Sequence, residues 1–419
     1  MKLEILLKTR NGLEQKAIKI DNKILYQYSY GSNIKTLRDL NLYRSKSSEN
    51  FSNISILHLT LPNAIKIHHE LRQKSLLMLG KHSDAFDMID NCILIEPSLE
   101  YLLYKTKSER EKLLEIKDLP ESLRKILDSD STMAQVSRLF KEDEQKEITK
   151  IIEWSMQKTI RLGASMPMPV CLPVGDERTL DWAFQTNRIS QTIAGNNGWV
   201  ESSFFNLDFS LFAYDDYLNV IAEFVKQMEP SIIFLKIRGC ENLVSPDKML
   251  ERSNFYDFIQ KIAGEGKMVF LLNTDSLGFV GYGFDNPIDC FTEPLDGVLN
   301  PDIRRKRTEQ KQPQDGYARK FGKYLNPKDF MWWKFRALNK LYTNQNKTLP
   351  CSCQECSLIN GKEIVDHITW NIRRRKHVLN MRNTLIEEAR QTLLDGTTRG
   401  SFFDRFSKSP LNCFSIFFS

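Results

Sequence analysis

Short apolar runs alternate with longer amphipathic stretches along most of this chain. The runs fall at 55–61, 92–95, 168–173, 199–207, 232–237, 268–272 and 288–291. Between them, apolar residues recur at helical spacing over 63–79, 142–162, 178–193, 217–228 and 255–263. A further pair of apolar residues, Ile126 and Leu127, leads into Asp128 and reads as the end of another short strand. Residues 1–50 carry their own apolar runs at 3–7, 17–20 and 24–26, and read as a strand-rich edge. Buried strands separated by helices imply βαβ units, because a parallel neighbour can be reached only by a crossover connection. About eight such runs suit a (β/α)8 TIM-type barrel. A doubly wound open sheet is the alternative that the same alternation allows.

The division that follows is a strand-rich segment over 1–50, a barrel over 51–300, a basic insertion and metal-binding subdomain over 301–400, and a tail over 401–419. Composition keeps the chain among ordinary globular proteins: of 419 residues, 41% are hydrophobic and 27% charged, enough to bury a large core. No run approaches the ~20 apolar residues of a membrane-spanning helix, so no membrane partner is expected. The first residues lack the apolar core and small-residue cleavage site of a secretory signal. Eight cysteines, most of them scattered, point to a reducing, cytoplasmic setting rather than to a disulfide framework.

The chemistry-bearing pattern lies near the C-terminus. Cys351-Ser-Cys353-Gln-Glu-Cys356 clusters three thiols, and His377 follows in His-Val-Leu-Asn-Met-Arg-Asn. Cys351 and Cys353 stand too close for an unstrained disulfide, whereas a Cys3His set is one that Zn2+ closes as a four-coordinate structural site. Pro350 before the cluster and Gly361 after it supply the turns a zinc knuckle needs. His367 also lies downstream. His377 is the better fourth ligand, because it opens a strongly helical stretch and can present a ring nitrogen while that helix buries its other face.

These residues resemble the zinc subdomain of the tRNA-guanine transglycosylase superfamily, whose Cys-x-Cys-x-x-Cys motif is followed by a His-led helix ending in Glu-Glu-x-Arg and Gly. Here that match runs from His377 to Gly396. The superfamily includes the queuine and archaeosine tRNA enzymes and a branch that inserts 7-deazaguanines into DNA. The resemblance implies a barrel enzyme that exchanges guanine in a polynucleotide, tRNA or DNA, for a 7-deazaguanine base through a covalent glycosyl-enzyme intermediate. A structural Zn2+ is its implied cofactor, and a homodimer is among the assemblies it allows. The tRNA substrate is favoured, the DNA branch stays close behind, and a catalytically lapsed homologue that only binds nucleic acid is the reading from another class.

Two carboxylates are required by that chemistry, one as nucleophile and one as general acid/base. Leu127-Asp128-Ser-Asp130-Ser-Thr-Met-Ala-Gln135 resembles the family's Leu-Asp-Ser-Gly-Gly-Phe-Gln, which puts the acid/base at Asp128, with Asp130 as its neighbour in contention. Gly283-Phe-Asp-Asn-Pro-Ile-Asp289-Cys-Phe-Thr-Glu293 resembles the nucleophile segment and puts that role at Asp289, with Glu293 as rival. Where the family commonly places a further base-binding Asp, this chain has Ser165 and Cys171. The net charge is +6, and basic residues concentrate in Arg304-Arg-Lys-Arg307 and Arg373-Arg-Arg-Lys376, with Tyr317, Phe321, Tyr324, Trp332 and Trp333 between them. Basic runs flanking a zinc knuckle and interleaved with aromatics suit a surface that tracks phosphates.

Overall fold

The computed structural model of the chain describes residues 4–10, 13–19, 25–29, 56–62, 64–65, 92–97, 113–128, 132–141, 144–238, 249–263, 267–272, 288–294, 323–325, 332–334, 351, 353–357 and 377. The chain opens with an antiparallel pair, β1 (Glu4–Arg10) and β2 (Leu13–Lys19), in which Glu4 faces Lys19 and Arg10 faces Leu13. An eight-stranded parallel sheet follows. Its strands are β3 (Leu25–Ser29), β4 (Ile56–Thr60), β5 (Cys92–Glu96), β6 (Pro173–Val174), β7 (Ser202–Asp208), β8 (Ile232–Arg238), β9 (Met268–Leu272) and β10 (Ile288–Pro294). They lie in the order β5-β4-β3-β10-β9-β8-β7-β6.

Within that order β3, β4 and β5 are neighbours in sequence, as are β6 to β10, and β10 returns to pair with the first strand, β3. Only β5 and β6 stand at the two ends of the ladder. The sheet is nonetheless strongly curled. In a flat sheet five inter-strand steps, roughly 24 Å, would separate β5 from β8, yet the Lys236 ammonium on β8 reaches the Glu96 carboxylate on β5 at 2.8 Å. The sheet also begins upstream of the expected barrel boundary, because β3 belongs to it rather than to a separate edge.

β7 and β8 are buried along their whole length, as strands covered on both faces must be. Alternation then sorts their side chains. Phe204 of β7, Ile232 and Phe234 of β8, Phe270 and Leu272 of β9, and Leu94 of β5 form one interior cluster with Met166, Met168 and Cys171. The opposite face of β7 meets helices: Phe205 lies edge-on to Phe184 of α4 (Glu177–Asn196) and to Phe224 of α5 (Asp215–Met228). Phe184 and Phe224 stack at 4.3 Å. α4 begins with a reciprocal cap, since Asp176 accepts from the Thr179 amide and the Thr179 hydroxyl accepts from the Asp176 amide. Asn187, buried on the same helix, accepts from the Phe204 amide at 2.7 Å and donates to its carbonyl at 3.0 Å. It thereby satisfies backbone groups of β7 that the two-residue β6, paired only at Asn206 and Leu207, does not reach.

Among the described residues, three helices lie between β5 and β6: α1 (Glu121–Asp128), α2 (Thr132–Leu139) and α3 (Gln145–Arg161). α3 buries Ile148, Ile151, Ile152, Ser155, Met156 and Thr159, a three-four spaced stripe that packs with Leu123, Ile126 and Leu127 of α1 and Val136 of α2. It ends at Gly163, whose positive φ of 95° an L side chain rarely adopts. The strand expected at Ile126-Leu127-Asp128 is therefore helix. The remaining connection described on the sheet is α6 (Met249–Ile262), packed through Phe255 and Phe258 on Phe212. Beyond the sheet lie a short antiparallel pair, β11 (Lys323–Leu325) and β12 (Trp332–Lys334), and the one-turn helix α7 (Gln354–Ser357). Among the described residues no helix is long and apolar enough to cross a membrane.

Candidate functional site: a buried charge cluster and a Cys3His centre

The inward positions of the parallel strands change character from one end to the other. Midway they are apolar, as Leu94, Phe204, Phe234 and Phe270 are. One inward step further toward the strands' C-terminal ends stand Glu96, Asn206 and Lys236, and beyond these Asp208 and Arg238. All five are buried, together with His58 of β4. The C-terminal end is where a parallel barrel gathers its working side chains.

Two strands converge on Glu96. Lys236 donates to Oε1 at 2.8 Å and to Oε2 at 3.2 Å, and His58 Nε2 lies 3.2 Å from Oε2. Burial alone would raise the Glu96 carboxyl. The Lys236 ammonium and the adjacent His58 imidazole outweigh it and hold the group well below the usual carboxylate range, so Glu96 is ionised at neutral pH. On the β7 side, Arg238 Nε donates to Asn206 Oδ1 at 2.8 Å. Asp208, opposite Arg238 in the ladder, accepts from the Ser210 amide at 3.0 Å and from its hydroxyl at 2.6 Å, turning the chain out of the strand.

The second site is the thiol cluster. The Sγ atoms of Cys351, Cys353 and Cys356 and a ring nitrogen of His377 all lie within 4.8 Å of one another. His377 Nδ1 is 3.4 Å from Cys353 Sγ and 3.3 Å from Cys356 Sγ. Tetrahedral zinc with ordinary Zn–S and Zn–N bonds sets its ligand atoms ~3.5–3.8 Å apart, so the donor set and its spacing fit that ion. Local backbone geometry makes the cluster. The Cys353 amide points at Cys351 Sγ, 3.4 Å away, and the Cys356 and Ser357 amides both donate to the Cys353 carbonyl, winding α7 so that two thiols share one side.

Cys356 and His377 are fully buried and Cys351 nearly so. Hydrogen bonds from Cys351 and Cys356 hold the Cys353 thiol below its ordinary value. Cys356 is pushed up by its bonds to Cys351 and Cys353 and by burial. Three thiolates cannot coexist in so small a space without a cation, and a divalent ion removes that conflict. No disulfide engages these cysteines.

The structure brings the four expected metal ligands together. Asp128 is the last residue of α1 and is exposed, not seated at a strand end. Asp289 is the second residue of β10, at a register irregularity against β9 between Ile288 and Cys290, and so sits at the strand's entrance. Glu293 lies near the exit of β10, opposite Tyr28. Asp130, His367, Arg304 to Arg307 and Arg373 to Lys376 lie outside the described residues, as does the helix expected after His377. Cys171 is buried in the interior cluster, its thiol donating to the Leu172 carbonyl at 3.2 Å. The Glu96 cluster was not foreseen, although each apolar run that ends in a charge, Cys-Ile-Leu-Ile-Glu96 and Phe-Leu-Lys236-Ile-Arg238, carried a signal of it. No protein-family model and no curated protein matches the sequence.

Proposed function

We propose that this chain is a base-exchange glycosyltransferase that removes guanine from a polynucleotide and inserts a 7-deazaguanine. In this reading the parallel sheet is a (β/α)8 barrel that carries the chemistry, and the C-terminal cysteine-rich segment is a zinc subdomain that helps to hold the phosphate backbone. The observation that carries it is the convergence of Cys351, Cys353, Cys356 and His377, the same residues on which the resemblance to the tRNA-guanine transglycosylase superfamily rests. The barrel order of the strands, with buried polar groups at their C-terminal ends, is a second and independent support. Zinc in the Cys3His set would be structural, because four protein ligands leave no open position.

The deciding experiment is incubation with labelled 7-deazaguanine bases and separate tRNA and DNA pools. Label entering tRNA with release of guanine fixes the favoured substrate, and label entering only DNA assigns the chain to the DNA-modifying branch. Incorporation into neither overturns the reading. One observation favours a second reading, a zinc-containing nucleic-acid-binding homologue without exchange activity: Asp128 stands exposed on a helix rather than at a strand end.

Both readings require contact with a polynucleotide backbone, and this gives a prediction of its own. Binding should weaken steeply with salt. Neutralising Arg373, Arg374 and Arg375 together should flatten the slope of log K against log salt by up to ~3 phosphate equivalents. An unchanged slope in a filter-binding series would assign these arginines to a solvated face.

A further inference from the structure

We propose that Glu96 is the carboxylate that carries the glycosyl group between the two displacements, and that Lys236 is the residue that positions it. The inference rests on the base-exchange reading and supplies the nucleophile that the sequence alone sought on β10. Three observations converge. Glu96 is the last residue of β5, at the end of the parallel sheet where barrel chemistry is done. Asp289, by contrast, lies at a strand entrance and Asp128 on an exposed helix end. Glu96 is held from two directions, by Lys236 of β8 at 2.8 Å and His58 of β4 at 3.2 Å, so its orientation is fixed before any substrate arrives. These contacts also keep it deprotonated, which suits a nucleophile and disqualifies a proton donor.

The step is two displacements at C1′. A Glu96 oxygen bonds to C1′ as the C1′–N9 bond breaks. The bonding pair leaves with guanine, which takes up a proton from solvent. N9 of the incoming 7-deazaguanine then bonds to C1′, the ester C1′–O bond breaks with its pair returning to Glu96, and the N9 proton passes to solvent. Configuration at C1′ is retained, as in other exchanges through a carboxylate.

The test begins with the unaltered full-length chain, incubated with tRNA and DNA pools without an incoming base, denatured, digested and mapped by mass spectrometry. The expected glycosyl ester lies on the peptide that contains Glu96. An ester on Asp289, Glu293 or any other residue overturns the assignment while leaving the exchange reading intact. Exchange by the unaltered chain that persists in Glu96→Gln overturns it too. An unaltered chain that neither exchanges bases nor forms an ester with either pool fails the reading itself, and the assignment falls with it. Positioning by Lys236 has its own readout. In Lys236→Met the charged neighbour of Glu96 from β8 is gone and His58 of β4 remains, so the acid limb of ester formation should move up by ~1–3 pH units. A uniform loss of rate at every pH, with the limb unmoved, would reduce Lys236 to a structural role.

Discussion

Lys236→Met should destabilise the fold by about 3–5 kcal/mol at neutral pH, the range expected when one member of a buried ion pair is removed and the other is left behind. Lys236 is 5% exposed and Glu96 1%, so water cannot take the place of the lost ammonium. The Lys236 side chain also spans the interior of the sheet, from β8 to the strand at the far end of the ladder, so its loss removes a tie that no backbone ladder duplicates. The double variant Glu96→Gln, Lys236→Met should regain a large part of the deficit, because no charge is then stranded. The pH dependence has a definite sign. The folded Glu96 carboxyl lies below its unfolded value, so the pair's contribution is complete above the unfolded carboxyl value of ~4.3 and is lost as pH falls through the folded value. In Lys236→Met burial acts against the carboxylate with less opposition, and the acid unfolding midpoint should rise. Urea melts at pH 7 and an acid titration from pH 7 to pH 2, both followed by far-ultraviolet circular dichroism, measure the two effects. A single-variant loss under about 1 kcal/mol, or no recovery in the double variant, would contradict a buried, coupled pair.

The strands were legible because burial on both faces demands uninterrupted apolar residues, and runs such as Ile232 to Ile237 have almost no other use. Long helices were legible for the matching reason. The apolar stripe of α3 repeats over 17 residues, and no strand pattern imitates it at that length. The misreading at Ile126-Leu127-Asp128 came from length. Two adjacent apolar residues satisfy either period, and only Leu123, three and four positions earlier, identifies the stripe of a helix. Nothing local ties β3 to the sheet, because its partners, β4 and β10, are distant in sequence, and pairing at that range leaves no mark on the segment itself.

The two sites differ in the same respect. Three of the four metal ligands sit within one short segment, so their purpose could be read from spacing. The Glu96 cluster joins residues 140 positions apart, and its members are single charges at the ends of unrelated apolar runs. The general rule that could have found it is physical. A charge at an inward position on a buried strand must have a partner, and inward positions can be counted by twos from an aromatic such as Phe234 to Lys236 and from Leu94 to Glu96.

Purified protein should carry about one zinc per chain, the stoichiometry a single closed site requires, and Cys353→Ser should lose it. The expected effect is large, because a preformed tetrahedral site converts metal affinity into folding free energy, about 10–16 kcal/mol in small zinc-finger peptides near neutral pH. Cys353 is the informative position. It is the most exposed of the three thiols, so serine can replace it with little packing change, yet its sulfur stands 3.4 Å from His377 Nδ1, within the ligand ring. Its carbonyl accepts from the Cys356 and Ser357 amides, contacts a serine backbone would keep, so the loss should trace to the sulfur rather than to the turn. Without the ion the remaining buried thiols and the fully buried imidazole would be left to share protons among themselves, and the segment around them should open to protease. Elemental analysis measures the stoichiometry. Cobalt substitution reads the geometry through its tetrahedral ligand-field bands and its thiolate charge-transfer absorption, both of which should be altered or absent in Cys353→Ser. Limited proteolysis, with and without chelator, should show cleavage near residues 345–380 only when metal is lost. A carefully prepared chain without zinc, or a Cys353→Ser variant that keeps one zinc and the native cleavage pattern, would show that the four side chains converge for packing rather than for a metal.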